Sequence, residues 1–272
     1  VDKYIYDSFI LFTNNKDKHS KIENNDVNKM VGNPVLSNPN DIDNALSSDN
    51  LVSLSPRSGG NRLIWDMRYP GFKSFEGMVL YSSPNVGPKV APGKYNIKMT
   101  YNDQILQKEF EIVKDPRVKI SQADYEDQLE FLINVRDEVS RANQKIIDIR
   151  NIKNNMIFIS EKTRDNNELQ EMINNYLTDL SEIENNIHMT KNQSRQDPLN
   201  YGIRINNRIA FLLADSQRGD YPPTDQSKEF FIQVKGELDS EVMKLDALID
   251  KHSQKIENYL EDNKIELISL NN

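Results

Sequence analysis

Apolar residues recur with two different periods along the chain, and the change falls near Val118. Before it they alternate with polar residues in short runs separated by turn formers, a period of two that predicts a mostly β region. The predicted strands cover residues 4–12, 51–55, 62–69, 77–81, 94–101 and 105–113. The last two predict a hairpin. Tyr95, Ile97, Met99 and Tyr101 share one face, Asn102-Asp103 suits a tight turn, and Leu106, Phe110 and Ile112 resume the alternation. Pro92-Gly93 just ahead suits a type II turn, because Pro sets φ at the second position and Gly accepts positive φ at the third. Residues 13–50 are polar and rich in Asn, Asp and Ser, and predict a long insertion in this first domain.

From Ser121 the period is 3.6. Ser121-Gln122-Ala123-Asp124 has the form of a capping box, with a hydroxyl acceptor for orphan amides and a carboxylate near the positive end of the helix dipole. After it Tyr125, Leu129, Leu132, Val139, Ala142, Ile146, Ile149, Met156 and Ile159 recur at steps of three and four or their sums. They predict one helix of roughly 38 residues, about 57 Å long, which needs partners along its length. A second stripe runs from Leu169 through Ile173, Tyr176, Leu180 and Ile183 to Ile187, and a shorter third from Ile205 to Leu213. The fourth follows Pro222-Pro223, with Thr224 as N-cap, and runs from Phe231 to Leu260. Four amphipathic segments predict an antiparallel four-helix bundle over residues 119–272, following a β domain over residues 1–118.

Composition narrows the function classes. A chain of 272 residues with 37% apolar and 28% charged content suits one or two globular domains. It has no apolar run long enough for a transmembrane helix. It has no Cys, so disulfides, thiolate zinc sites and thiol nucleophiles are excluded. Residues 1–118 hold 15 Lys and Arg against 14 Asp and Glu, and residues 119–272 hold 19 against 28, so the net charge of −8 belongs to the second half. Neither half has the basic stripe that nucleic acid requires. Asparagine doublets, such as Asn206-Asn207, read as AT-rich codon usage. The chain opens on Val1 without a signal segment, which reads as a piece of something longer.

The most distinctive segment is Asn61-Arg-Leu-Ile-Trp-Asp-Met-Arg-Tyr-Pro-Gly71. In a strand, Leu63, Trp65, Met67 and Tyr69 face one way while Asp66 and Arg68 face the other, close enough for an ion pair. Trp65, amid apolar same-face neighbours, reads as the core plug of a small sandwich. The alternative is a sugar-stacking platform with Asp66 and Arg68 as its polar contacts. This segment and residues 87–118, GPKVAPGKYNIKMTYNDQILQKEFEIVKDPRV, resemble the C-terminal β domain of large bacterial BNR-repeat, VPS10/sortilin-like glycosyl hydrolases. Residues 198–231, PLNYGIRINNRIAFLLADSQRGDYPPTDQSKEFF, resemble the helical end of the same family, so the resemblance spans roughly residues 50–272. The propeller of that family carries S-x-D-x-G-x-T-W boxes, and this chain has none.

The resemblance therefore implies the region that follows the propeller, with α+β organisation: an immunoglobulin- or fibronectin-like β-sandwich and then helices. It implies a periplasmic, cell-surface or secreted bacterial protein, and as partners the upstream propeller, another cell-envelope protein or a glycan. Glycoside hydrolysis requires two carboxylates about 5 to 10 Å apart. Most acids here lie on helix faces, as do Glu168, Glu171, Asp179 and Glu182, which read as a solvated face and a candidate partner surface. His19, His188 and His252 show no metal-binding spacing, and Asp215, Asp220 and Asp225 lack the EF-hand pattern. No catalytic, cofactor or metal-binding residue is expected. The leading expectation is a non-catalytic structural and interaction module; the alternatives are an accessory part of a glycosidase and a carbohydrate-binding sandwich.

Overall fold

The computed structural model describes residues 9–14, 52–53, 62, 64–101 and 104–265. The 13–50 insertion expected from the sequence lies outside these residues, apart from Thr13 and Asn14. The strands are β1 (Phe9–Asn14), β2 (Val52–Ser53), β3 (Gly93–Tyr101) and β4 (Gln104–Ile112). The helices are α1 (Gln122–Lys162), α2 (Asn167–Ile187), α3 (Pro198–Tyr201), α4 (Ile205–Ser216) and α5 (Asp225–Asp262).

The expected immunoglobulin-like sandwich does not form. All four strands belong to one antiparallel sheet in the order β2-β1-β3-β4, no second sheet faces it among the described residues, and helices of 41, 21 and 38 residues dominate the chain. The physical cause lies in residues 62–92. Pro70, Pro84, Pro88 and Pro92 cannot donate to a ladder, and Met67 takes a left-handed φ of 57°, which breaks the alternation. Instead of a continuous ladder this stretch makes isolated bridges, among them Arg68↔Lys89, with Tyr69 N donating to Pro88 O at 2.8 Å and Val90 N to Met67 O at 3.0 Å.

Asparagine side chains supply the missing ladder. Asn85 accepts from Phe72 N and donates to Phe72 O, both at 2.8 Å; Asn207 accepts from Tyr81 N at 2.7 Å and donates to Tyr81 O at 3.0 Å. Asn206 and Asn207 are both buried, so this doublet has a structural role. Each amide mimics a strand's donor and acceptor, and so satisfies buried backbone at Phe72 and Tyr81.

The chain divides into two compact units that do not meet at Val118. The first comprises Val1–Ser74, Pro84–Asp137 and Leu212–Ser227; the second comprises Phe75–Ser83, Glu138–Phe211 and Lys228–Asn272. In the first unit Tyr95 pairs with Phe110 across β3 and β4, and Trp65 packs edge-on against both. On β4, Ile105 and Leu106 are exposed. The capping box of α1 closes as its sequence requires: Ser121 N and Oγ donate to Asp124 Oδ2 at 2.8 and 2.7 Å, and Asp124 N donates to Ser121 Oγ at 3.1 Å. Thr224 Oγ1 accepts from Ser227 N at 3.2 Å, capping α5.

In the second unit Val139, Ala142, Ile146 and Ile149 of α1 are fully buried, as are Leu169, Ile173, Tyr176 and Leu180 of α2 and Leu238 and Leu245 of α5. These are the stripes that the 3.6 period marked, and their burial supplies the main driving force for this unit. Three carboxylates, Glu138, Glu184 and Glu241, are buried among them. Glu184 of α2 accepts from Arg150 Nε at 2.8 Å and Lys153 Nζ at 2.9 Å, both on α1. Burial alone would raise the Glu184 pKa, but the two cations outweigh it and hold the carboxyl below its usual value.

Candidate binding site

The segment singled out in the sequence builds a tight turn instead of a strand. Asp66 Oδ1 accepts from Arg68 N at 3.1 Å, an Asx turn, and Trp65 Nε1 donates to Arg68 O at 3.1 Å. These two bonds hold Met67 at its left-handed φ, a conformation that costs free energy in a residue with a Cβ. Met67 is 51% exposed at the tip. Asp66 and Arg68 therefore do not pair as strand neighbours: the carboxylate binds backbone, and the Arg68 guanidinium turns to Gly87 O at 2.8 Å and Gln217 Oε1 at 2.9 Å.

Gly87 is required at that point. A Cβ there would lie 1.7 Å from Tyr69 O and 2.6 Å from Pro70 O, so the 87–90 segment lies against the turn only because the side chain is missing. Trp65 is half-buried, and its ring meets Tyr95 at a centroid distance of 6.1 Å and Phe110 at 6.2 Å, both T-shaped. It thus packs against the sheet.

Within the first unit the turn borders a cleft of about 370 Å³, lined by residues from five separated stretches, 66–68, 89–92, 112–115, 125–132 and 217–220. The size falls within the range of small-molecule pockets. Val90, Pro92, Ile112, Leu129 and Leu132 form its apolar lining, with Arg68, Lys89 and Lys114 as cations and Asp66, Asp115 and Asp220 as carboxylates. Gln128 is buried and fixed, donating through Nε2 to Ser216 O at 2.9 Å and Gly219 O at 2.7 Å.

The carboxylates are already engaged. Asp115 accepts two bonds from Arg117 Nε, at 3.0 and 3.2 Å, and one from Nη2 at 2.6 Å; Arg117 holds its carboxyl below the usual range. Asp220 accepts from Tyr125 Oη at 3.2 Å. Burial, then the Asp220 charge, push the Tyr125 phenol above its ordinary value, so it stays a neutral donor at pH 7.

Of the predicted residues, the structure brings Asp66 and Arg68 into this cleft and leaves Trp65 behind it. The acidic residues Glu168, Glu171, Asp179 and Glu182 all stand on α2, but they are not one free surface. Glu168 accepts from Tyr259 Oη of α5 at 3.3 Å, and Asp179 lies 3.5 Å from His252 Nε2 of α5, leaving Glu171 and Glu182 exposed. Lys89, Gln128 and Gln217 carry no local mark in the sequence, since they meet only through the fold, and Tyr125 stands out there only as an apolar-stripe position. Among the described residues no three His, Asp or Glu side chains gather as a metal site, and no helix is long and apolar enough to cross a membrane.

Compared with known proteins, the chain matches no protein-family model, no curated protein and no solved structure.

Proposed function

We propose that this chain is a non-catalytic interaction module whose binding surface is the first-unit cleft, and that it follows a β-propeller in a protein of the BNR-repeat, sortilin-like kind. The observation that carries the reading is the turn at Asp66–Arg68. A left-handed residue held by two side-chain bonds at the mouth of a cleft is conformational cost placed where a ligand would sit. The three lining carboxylates already accept from Arg68 N, Arg117 and Tyr125, which supports binding over acid–nucleophile chemistry across the cleft. The propeller, the cell-envelope setting and a glycan or protein partner rest on the resemblance of residues 61–71, 87–118 and 198–231.

A turnover assay separates this reading from the alternative, an accessory part of a glycosidase. Purified chain incubated with aryl glycosides, sialosides and polysaccharides is expected to release no product. Turnover that disappears on Asp220→Asn or Asp66→Asn would replace the module reading with an enzymatic one.

A further inference from the structure

The cleft lining shows which ligand charge it favours. Arg68 and Lys89 are directly opposed bridge partners, and antiparallel partners project their side chains from the same side of the ladder. The Arg68 guanidinium is half-buried, yet both its acceptors, Gly87 O and Gln217 Oε1, are neutral, and both use Nη1. Its Nε and Nη2 groups make no bond, and Lys89 has no hydrogen-bond or ion-pair partner, among the described residues. A half-buried cation normally has a counter-charge.

Among the described residues no nearby carboxylate bonds directly to the Arg68 guanidinium or to Lys89. Asp66 binds the Arg68 backbone, Asp115 is held by Arg117, and Asp220 by Tyr125. The lining holds three cations and three carboxylates, but Asp115 is in an ion pair with Arg117 from outside the lining, and neither Arg68 nor Lys89 has a carboxylate oxygen bonded to it among the described residues. Beside them the lining is apolar, through Val90, Pro92, Leu129 and Leu132.

We propose that the cleft binds an amphipathic carboxylate, its carboxylate on the free edge of the Arg68 guanidinium and the Lys89 ammonium, its apolar body on Val90, Pro92, Leu129 and Leu132. The planar fork of Arg68 suits two-point recognition of a carboxylate, which a neutral or cationic head group would not satisfy. Such a group belongs equally to a free aliphatic acid and to a peptide C-terminus with an apolar last residue. This inference rests on the cleft being the binding surface.

The test uses the intact chain, whose single tryptophan, Trp65, bonds to Arg68 O and so reports on the turn. N-acetyl-leucine should change its emission saturably, with a Kd on the order of 1 mM, and N-acetyl-leucinamide should bind at least about tenfold more weakly. Lys89→Glu, an exposed substitution, should weaken the acid by about tenfold or more while leaving thermal unfolding unchanged. Hexanoate binding as tightly as N-acetyl-leucine assigns the free acid; a tetrapeptide ending in leucine binding more tightly than both assigns a peptide C-terminus. Equal binding of acid and amide, or an unaffected Lys89→Glu variant, overturns the carboxylate and leaves the cleft as a site for neutral ligands. No saturable response to acid or amide overturns both.

Discussion

Acidification from pH 7 to pH 5 should weaken the second unit through His188. This residue caps α2, its N–H donating to Glu184 O at 2.8 Å, and it is 2% exposed. Its Nδ1 lies 3.2 Å from Asn206 Nδ2, and an amide NH₂ only donates, so Nδ1 is the unprotonated acceptor. The ring meets Phe75 edge-on at 4.9 Å, and the Arg150 guanidinium lies over the other ring of that pair at 4.7 Å. Burial, with Arg150 acting in the same direction, lowers the His188 pKa to about 4 from its ordinary 6.5. The unfolded chain therefore takes up the proton first. The stability this neutral ring confers is complete above about pH 6.5 and declines as pH falls towards 4. At pH 5 the loss is about 2 kcal/mol, from 1.36 kcal/mol per pKa unit.

Urea unfolding followed by far-ultraviolet circular dichroism at pH 7 and pH 5, on wild type and His188→Asn, measures it. Asparagine offers Asn206 an acceptor but neither titrates nor packs as a ring. The variant should be weaker by about 1–2 kcal/mol at pH 7, from the lost aromatic contact. Between the two pH values it should change by less than about 0.5 kcal/mol more than His252 accounts for. His252 is lowered as well, by burial and then by Lys251, and contributes in the same sense. Glu184, held below its usual value, loses its contribution only under pH 4.5, outside this window. Equal losses in wild type and variant would refute the assignment to His188.

Glu184→Gln should lower stability by about 2–3 kcal/mol in thermal unfolding, under the range for fully buried pairs because Arg150 and Lys153 retain some solvent contact. Trp65→Ala should cost about 2 kcal/mol, less than a fully buried tryptophan, measured by chemical unfolding of the first unit. Gly87→Ala should cost more than about 2 kcal/mol, since its Cβ meets backbone rather than a movable side chain, and should abolish the Trp65 response to cleft ligands.

The parts legible in the sequence are those specified locally. The Ser121–Asp124 box, the Thr224 cap and the 3.6-residue stripes each depend on neighbours a few positions away, and they placed the long helices well. The β3–β4 hairpin was legible for the same reason, with a two-residue link between partners Tyr101 and Gln104. The sandwich was misread because residues 62–92 alternate like strands while their prolines withhold ladder donors and Asn85 and Asn207 replace them from a distance. The division into units was equally out of reach, because it follows tertiary contacts that draw α1, α4 and α5 each into both units. In the site, Asp66 and Arg68 stood out through an unusual local segment. Lys89 gained its significance only by lying opposite Arg68, and Gln217 only by reaching it across 149 positions.

The central claim, that the cleft beside the Asp66–Arg68 turn binds without catalysing, is tested most directly by saturation-transfer NMR with a set of neutral and charged fragments. Wild type and Leu129→Trp would be compared, the added indole in the variant occupying the cleft. Transfer to bound fragments is expected in wild type, with loss of that transfer in Leu129→Trp and fragments recovered chemically unchanged. Transfer of equal strength in the variant, or fragments converted to product by wild type, would contradict it.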